Sequence, residues 1–414
     1  MHGRSRGVIS FVLTLLAGSG IAVGATPTHR QSQEVRITAV GESRLQTLTL
    51  TSDGRIAALV APPRYGASQA EAGKPPVTEL RILDEKGVQL GRWSVPFQGQ
   101  SVGAGPEGTV FVGGDGQVAR FSRDGKILST VALPHLAEAA RDTEGLRARA
   151  EKLVEEQKES NAEFRKSYDE QKASLDEKIK EIEDKEPAKL TPAQKRRLKS
   201  YKEQLQEINS VREQFTVPSV DEMMNELLSR MRMINGIAAT DEDLFIVSGA
   251  SKGHGYAVWR MNHRYENATE VISSLSGCCG QMDVQAHGNE LFVAENTKHR
   301  VGRYDRDGKP IKAFGQRSEK SGEEEGFGGC CNPMNLRVDG EGNIYTAESE
   351  GIIRRFTPDG ESLGLVGTAK LEHGCKNVAV AVSADGKHVY FCDQPGSRII
   401  ILTRNETASE AAGE

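Results

Sequence analysis

Two copies of one short motif hold most of the residues in this chain that could do chemistry. The motif is Gly-Cys-Cys-x-x-Met followed by Asp or Asn, and it occupies residues 277–283 and 329–335. The chain has six cysteines: Cys278, Cys279, Cys330, Cys331, Cys375 and Cys392. Thiols at this density can form disulfides, bind a soft metal ion or remain free. The motif is therefore the first candidate for a ligand-binding or redox site.

Disulfides are one use of these cysteines. Bonds between neighbouring repeats, such as Cys279 to Cys330 or Cys331 to Cys375, would each contribute about 3 to 4 kcal/mol. A bond within one Cys-Cys pair is less comfortable, because adjacent Cα atoms lie about 3.8 Å apart and the usual separation is about 4.4–6.8 Å. Vicinal bonds are consequently more reducible, which suits a redox or ligand-sensing role.

A metal site is the second use. The soft ligands Cys278, Cys279, Met282, Cys330, Cys331 and Met334 would favour copper(I). Met282 and Met334 also fit a simpler role, as the first buried residue of a strand. Separately, Glu295, Glu348 and Asp393 recur at one position of a repeat. They could bind a divalent cation such as calcium, or brace a turn by accepting backbone hydrogen bonds.

Several other site classes have no signal in the sequence. There is no nucleophile elbow, no phosphate-binding glycine loop and no zinc-protease helix. The net charge is only −5, and no basic stripe is interleaved with aromatic residues. These features exclude nucleic acid as an expected partner.

The residues after each motif copy predict the elements that position it. Both copies precede an apolar strand, a Gly-containing turn, a second strand ending in Ala-Glu and a third strand running into Asp-Gly. A unit of about 40 to 50 residues with several short strands is typical of a propeller blade. The pattern predicts an all-β fold, a six-bladed β-propeller, with blades one and two in 35–134 and blades three to six in 233–403. Residues 35–40 would complete blade six and close the ring.

Residues 136–232 interrupt this pattern. Nearly half of residues 138–215 are charged, and their apolar residues follow coiled-coil spacing. Thr191 and Ser219 are expected helix N-caps. The segment is therefore predicted to be an inserted α-helical coiled-coil hairpin followed by a short helix. It could be a solvated helix pair or, as we favour, a docking or oligomerising arm.

The insertion and the cysteines should lie on one face. Both fall in loops that lead from the outer strand of one blade to the inner strand of the next, and such loops share the face around the channel mouth. The expected cluster contains Cys278, Cys279, Cys330, Cys331 and Cys375. Cys392, on a second strand, is expected to be a buried lone thiol or a partner for Cys375.

The first 25 residues resemble a secretory signal. Arg4 and Arg6 precede an apolar stretch, and Val23-Gly24-Ala25 offers small residues for cleavage. The alternative is an uncleaved anchor; no later segment is apolar enough to span a membrane. A secreted or periplasmic location would preserve disulfides. Residues 404–414 are expected to be a disordered tail.

Leu291 to Gly308 resembles an NHL repeat. An apolar strand ends in Glu295, a polar turn leads to His-Arg-Val, and the unit closes at Asp-Gly; residues 344–360 and 389–402 match less fully. The resemblance covers about a third of the chain and implies a six-bladed propeller of the secreted bacterial type, similar to gluconolactonase-like propellers. Such proteins are mostly binding platforms and in a minority metal-dependent enzymes.

The expected function is binding of a protein or small ligand at the channel face that carries the cysteines. The hairpin or the channel face would meet the protein partner, and an oligomer is possible. The alternatives are a metal-dependent lactonase or lyase and a redox or soft-metal-binding protein, so a copper or calcium ion remains a possible cofactor.

Overall fold

The computed structural model describes residues 26–63, 77–186, 189–213, 216–250, 255–278, 281–319, 326–371 and 378–406. The expected signal at 1–25 and most of the expected tail lie outside these residues. The described residues form six four-stranded antiparallel sheets, a two-stranded parallel pair and four α-helices.

The strands are numbered along the chain, and the six large sheets are numbered in the order of their first full strands. Strand β1 spans His29–Arg36 and belongs to sheet 6. Sheet 1 contains β2 (Arg44–Leu50), β3 (Ile56–Ala61), β4 (Glu79–Leu83) and β5 (Gln89–Ser94). Sheet 2 contains β6 (Ser101–Ala104), β7 (Val110–Gly114), β8 (Gln117–Phe121) and β9 (Ile127–Ala132).

Four helices follow sheet 2: α1 (Pro134–Arg141), α2 (Thr143–Glu183), α3 (Pro192–Glu213) and α4 (Val220–Arg232). Sheet 3 contains β10 (Gly236–Ala239), β11 (Asp243–Gly249), β12 (Tyr256–Asn262) and β13 (Thr269–Leu275). Sheet 4 contains β14 (Val284–His287), β15 (Glu290–Glu295), β16 (Arg300–Asp305) and β17 (Pro310–Phe314).

The short parallel pair is β18 (Gln316–Arg317) and β19 (Gly326–Phe327). Sheet 5 contains β20 (Asn335–Val338), β21 (Ile344–Ala347), β22 (Ile352–Phe356) and β23 (Ser362–Thr368). Sheet 6 contains β24 (Val378–Val382), β25 (His388–Asp393) and β26 (Arg398–Arg404), with β1 as its outer strand.

Sheets 1 to 5 are antiparallel meanders, and β24 to β26 form a three-stranded meander that β1 completes; Asp and Gly recur in many of the tight turns. In the turn between β16 and β17, the Asp305 carboxylate accepts the backbone N–H groups of Asp307 and Lys309. Gly308 follows with a φ of 83°, a conformation that glycine adopts without steric cost. Consecutive four-stranded antiparallel sheets are typical of the blades of a β-propeller, so the expected propeller architecture is confirmed at this level, in a chain that is mostly β and has four described α-helices.

The N-terminal strand belongs to the last sheet. β1 pairs antiparallel with β26, from His29 opposite Arg404 to Arg36 opposite Arg398. The sequence pattern suggested residues 35–40 for this strand, whereas it starts earlier and ends at Arg36. The two ends of the described chain thus meet in one sheet.

The first full strand of each sheet lies innermost. β2, β6, β10, β14, β20 and β24 pack side by side in that order, and β24 also packs against β2. The apolar clusters lie between successive sheets: the one between sheets 5 and 6 includes Cys331, Met334 and Phe391. Burial between sheets is what orients the inner strands around a common axis.

The helices of the insertion start where the capping residues indicate. The Ser219 hydroxyl accepts the N–H of Glu222 (3.2 Å), and the Glu222 carboxylate accepts the N–H of Ser219 (2.7 Å). At α3, the Thr191 hydroxyl accepts the N–H of Gln194 (3.2 Å). α3 packs along the outer part of α2, and Leu175 and Ile182 of α2 are buried there.

The base of the insertion is part of the propeller body. Leu146 and Leu153 of α2 and Leu227 of α4 share one buried cluster, and α4 packs on β11. The His135 ring of α1 stacks on Trp259 of sheet 3, with ring centroids 4.0 Å apart. The insertion is therefore anchored on sheet 3, and only the outer arm of α2 and α3 stands clear. Within the described residues, none of the helices has the length and apolar character that a membrane span needs.

Candidate functional site

The loops that lead into the inner strands lie on one side of the molecule, here called the loop face. The four helices connect β9 to β10 on this face, and both cysteine motifs precede inner strands there. A cavity of about 510 Å³ is lined by Arg230 and Met233 at the end of the insertion and by Tyr256 and Gly277. The insertion and the first residue of a cysteine motif therefore border the same cavity.

The described cysteines of the motifs approach one another. Cys330 is exposed, Cys331 is buried, and their Sγ atoms lie 2.8 Å apart. Cys278, from the motif of sheet 4, packs against the same apolar cluster that contains Cys331. Cys279 and Cys375, which the sequence places beside them, lie outside the described residues.

Cys392 is fully buried on β25, in the apolar cluster between sheets 6 and 1. Burial raises the pKa of its thiol well above the usual range. It is a core residue, in keeping with one of the two roles that the sequence left open.

A buried asparagine holds each motif turn. The side chain of Asn296 accepts the N–H of Cys278 (2.9 Å) and donates to the carbonyl oxygens of Gln281 (3.0 Å) and Cys278 (3.3 Å). In the second motif, Asn332 accepts the N–H of Ser349 (2.8 Å) and donates to the carbonyl oxygen of Gly328 (2.8 Å). In sheet 4 the asparagine that holds the turn thus lies outside the motif, whereas in sheet 5 it lies within the motif.

The last motif residue ties each inner strand to the next one. Asp283 Oδ2 accepts the N–H of Leu336 (3.1 Å), and Asn335 Oδ1 accepts the N–H of Val380 (2.9 Å). Burial raises the pKa of Asp283, and the Arg337 guanidinium 2.8 Å away opposes that shift. This end of the motif therefore has a structural role in joining successive sheets.

The motif methionines are core residues in separate places. Met282 and Met334 are both fully buried. Met282 belongs to the cluster between sheets 3 and 4, and Met334 to the cluster between sheets 5 and 6. Within the described residues, no three His, Cys, Asp or Glu side chains are grouped to hold a metal ion. The geometry thus supports the packing role of these methionines, while Cys279, one of the six soft ligands that the sequence suggested, lies outside the described residues.

The recurring acids are each neutralised by an arginine of the following strand. The pairs are Glu295–Arg300 (3.0 Å), Glu348–Arg354 (2.9 Å) and Asp393–Arg398 (2.8 Å). All three acids are at most 1% exposed. A divalent cation at any of them would have to displace a guanidinium, so the contacts favour a bracing role over calcium binding.

These arginines were not singled out from the sequence, although the signal was present. Arg300 follows its acid by five residues, Arg354 by six and Arg398 by five. Backbone hydrogen bonds add to two of the braces, because Gly328 donates to Glu348 (3.3 Å) and Gly396 donates to Asp393 (3.4 Å). The recurring acid–arginine pair is thus a repeat feature in its own right.

The environments of the acids differ. Burial acts to raise the pKa of Glu295, but Lys298 and Arg300 outweigh it and hold the pKa below its usual value. Burial raises the pKa of Glu348 to about 7, against the opposing charge of Arg354. Glu348 is therefore the acid of this set whose charge would change near neutral pH.

Amide side chains line the central channel at the loop face. A small cavity of about 30 Å³ is lined by residues from all six sheets, among them Gln46, Gln100, Asn235, Gln281, Asn335 and Gln394. Gln394 donates to Gln46 Oε1 (2.5 Å), and Gln281 donates to the Val378 carbonyl oxygen (2.6 Å). The one acid of this described lining, Asp283, is paired with Arg337. The described mouth therefore offers no converging acids and histidine for hydrolytic chemistry.

A second large cavity lies on the opposite face, between the turns of sheets 3 and 4. It has a volume of about 580 Å³ and is lined by Asp241, Glu242, Asp243 and Arg306, among others. Arg306 binds both Glu242 (3.1 Å) and Asp243 (2.5 Å). Arg306 thus pairs with two of the acids, and the described lining keeps an excess of acidic side chains.

Comparisons with known proteins give similarity in structure alone. No protein-family model and no curated protein sequence matches the chain. A chain of the crystal structure of the mitotic checkpoint complex is similar with a TM-score of 0.43 and 11% identity, over 97% of this chain and 99% of that one. The β-propeller domain of Cps50 (Swd1) from Myceliophteria thermophila is similar with a TM-score of 0.44 and 10% identity, over 91% of this chain and 100% of that one. At these values neither likeness bears on function.

Proposed function

We propose that this protein is an exported, NHL-like, six-bladed β-propeller that binds a protein partner at its loop face. The six four-stranded sheets and the contact between β24 and β2 support a closed six-bladed ring. The acid–arginine pairs of sheets 4 to 6 support a shared repeat of the NHL-like kind. The signal-like residues 1–25 support export to the periplasm or the medium.

The outer arm of the insertion carries the proposal. α2 has 41 residues, which corresponds to about 60 Å of helix. No residue of α2 between Val154 and Leu175 is buried, and the described side chains of α3 are all exposed or half-buried. A coiled-coil arm of this length, fixed at its base to sheet 3, presents its polar and half-buried side chains to a partner in one orientation.

Charge on the arm favours a protein partner. Its ions are balanced in pairs along and between the helices, as in Lys172–Asp176 (2.5 Å) and Lys202–Glu183 (2.7 Å). A mixed-sign surface does not attract a polyanion, whereas it suits complementary charges on another protein. The amide side chains at the channel mouth add further polar groups on the same face.

Site-specific photocrosslinking tests this proposal. A photoreactive amino acid replaces exposed Arg196 on α3 in one variant, and exposed Lys126, in the β8–β9 turn of the opposite face, in a matched control. In cells that make the protein naturally, we expect a discrete adduct from position 196 and none from position 126. Equal adducts at both positions, or none at 196 in a folded variant, would overturn the proposal. The measured mass of the exported protein should correspond to a chain that begins at Thr26.

A further inference from the structure

Cys330 and Cys331 are adjacent cysteines in very different surroundings. Cys330 is exposed to solvent, whereas Cys331 is 1% exposed. Cys331 lies in the apolar cluster with Met334, below the surface that Cys330 occupies. Despite this difference their Sγ atoms are 2.8 Å apart. The sulfur of Cys330 is therefore accessible to a reagent in solution, whereas the sulfur of Cys331 lies beneath the surface.

The distance distinguishes two uses of a paired thiol. Two thiolates that share a tetrahedral zinc ion lie about 3.8 Å apart, since each Zn–S bond is about 2.3 Å. Sulfur atoms at 2.8 Å are too close for that arrangement. They need to approach by only about 0.8 Å to reach the length of a disulfide bond. A bond between the two sulfurs therefore needs only a small movement of the side chains.

The turn is built to hold this arrangement. The Asn332 amide donates to the Gly328 carbonyl oxygen and to Glu350 Oε2, both at 2.8 Å, and accepts the N–H of Ser349. Asn332 is itself fully buried. The backbone on both sides of the cysteine pair is thus fixed, which keeps Cys331 in the apolar cluster and Cys330 at the surface.

We infer that Cys330 and Cys331 form a thiol–disulfide exchange site for small disulfides, with Cys330 as the attacking residue and Cys331 as the resolving residue. This goes beyond partner binding and does not depend on it. Cys330 sulfur attacks one sulfur of the small disulfide, forms a mixed disulfide and releases the first small thiol, which takes the Cys330 proton. Cys331 sulfur then attacks Cys330 sulfur, and the second small thiol leaves with the Cys331 proton. Both cysteines are oxidised, and the small disulfide is reduced to two thiols.

Peptide mapping of the wild-type protein tests the product. Cleavage after Lys and Arg places Cys330 and Cys331 in the peptide 321–337, separate from those of the other cysteines at 265–298, 371–376 and 388–398. The protein is reduced, treated with oxidised glutathione, blocked with an alkylating reagent and digested. We expect the peptide 321–337 without a crosslink, lacking two hydrogens and alkylated only after renewed reduction. A crosslink to 265–298 or 371–376 would overturn the inference in favour of an inter-sheet disulfide.

Two single variants test the assigned order. Cys331→Ser should accumulate glutathione as a stable mixed disulfide on Cys330, because the resolving thiol is gone. Cys330→Ser should leave Cys331 unmodified in the native state, at least tenfold slower to react than Cys330, and reactive once urea is added. Rapid native modification of Cys331, or no mixed disulfide in a folded Cys331→Ser protein, would refute the assignment. The near-ultraviolet circular dichroism of each variant reports whether it is folded.

Discussion

Substitution of Asn296 tests directly whether its side-chain amide holds the first cysteine motif in place. Its side chain is fully buried and makes three hydrogen bonds to the backbone of Cys278 and Gln281. Each such bond contributes about 1 kcal/mol, and Asn296→Ala would also leave the Cys278 N–H without its acceptor. We therefore expect Asn296→Ala to lower the free energy of unfolding by about 2 to 3 kcal/mol.

Urea unfolding followed by tryptophan fluorescence measures this loss, as the shift in midpoint multiplied by the slope of the transition. The matched control is Asn289→Ala, in an exposed turn of the same sheet, which should change stability by less than about 0.5 kcal/mol. The Cys278 thiol should also react faster in the Asn296→Ala protein. If Asn296→Ala and the control lose the same small amount, the amide does not hold the motif and the reasoning fails.

Two further predictions concern the insertion and Glu348. Asn161 Nδ2 lies 3.4 Å from the Thr216 carbonyl oxygen, so a two-glycine link from Asn161 to Thr216 should remove the outer arm with little change in melting temperature. Calorimetry should show a much larger drop when Pro134 is joined to Asn235, because the packing of α4 on β11 and the His135–Trp259 stack are lost; an equally large drop in both variants would mean that the arm packs into the core. The pKa of Glu348 is raised from 4.5 to about 7, so the stability it contributes is present below pH 4.5 and is lost as pH rises through 7. Wild type should therefore lose more stability than Glu348→Gln between pH 5 and 7.5 in urea titrations, and parallel pH profiles would contradict this.

The features that the sequence predicted are those that depend on local patterns. Alternating β-branched residues and Asp-Gly turns specify a four-stranded meander within one repeat, so the strands around Glu295 and Glu348 could be located without a structure. The capping box at Ser219 is equally local, because Ser219 and Glu222 are one helical turn apart.

Features that depend on the ring could not be predicted in the same way. Gln46, Gln100 and Asn235 meet only because their inner strands converge on one axis, and nothing in their own neighbourhoods distinguishes them from other surface amides. Likewise, the base of the insertion was indistinguishable from its outer arm until Leu146 and Leu227 were seen to share a cluster.

Packing accounts for most residues of the cysteine motif but not for the exposed cysteine of the second copy. The Met position fills a buried site between sheets, and the final Asp283 or Asn335 caps the next inner strand, so any propeller of this build could use those residues. The apolar cluster likewise accounts for a small buried side chain at Cys331, a place that alanine or valine would fill as well. Burial gives no reason for a thiol at the exposed Cys330. The exchange reaction proposed for this pair uses both sulfurs, which lie 2.8 Å apart, so that reaction, rather than stability, is the property to measure there.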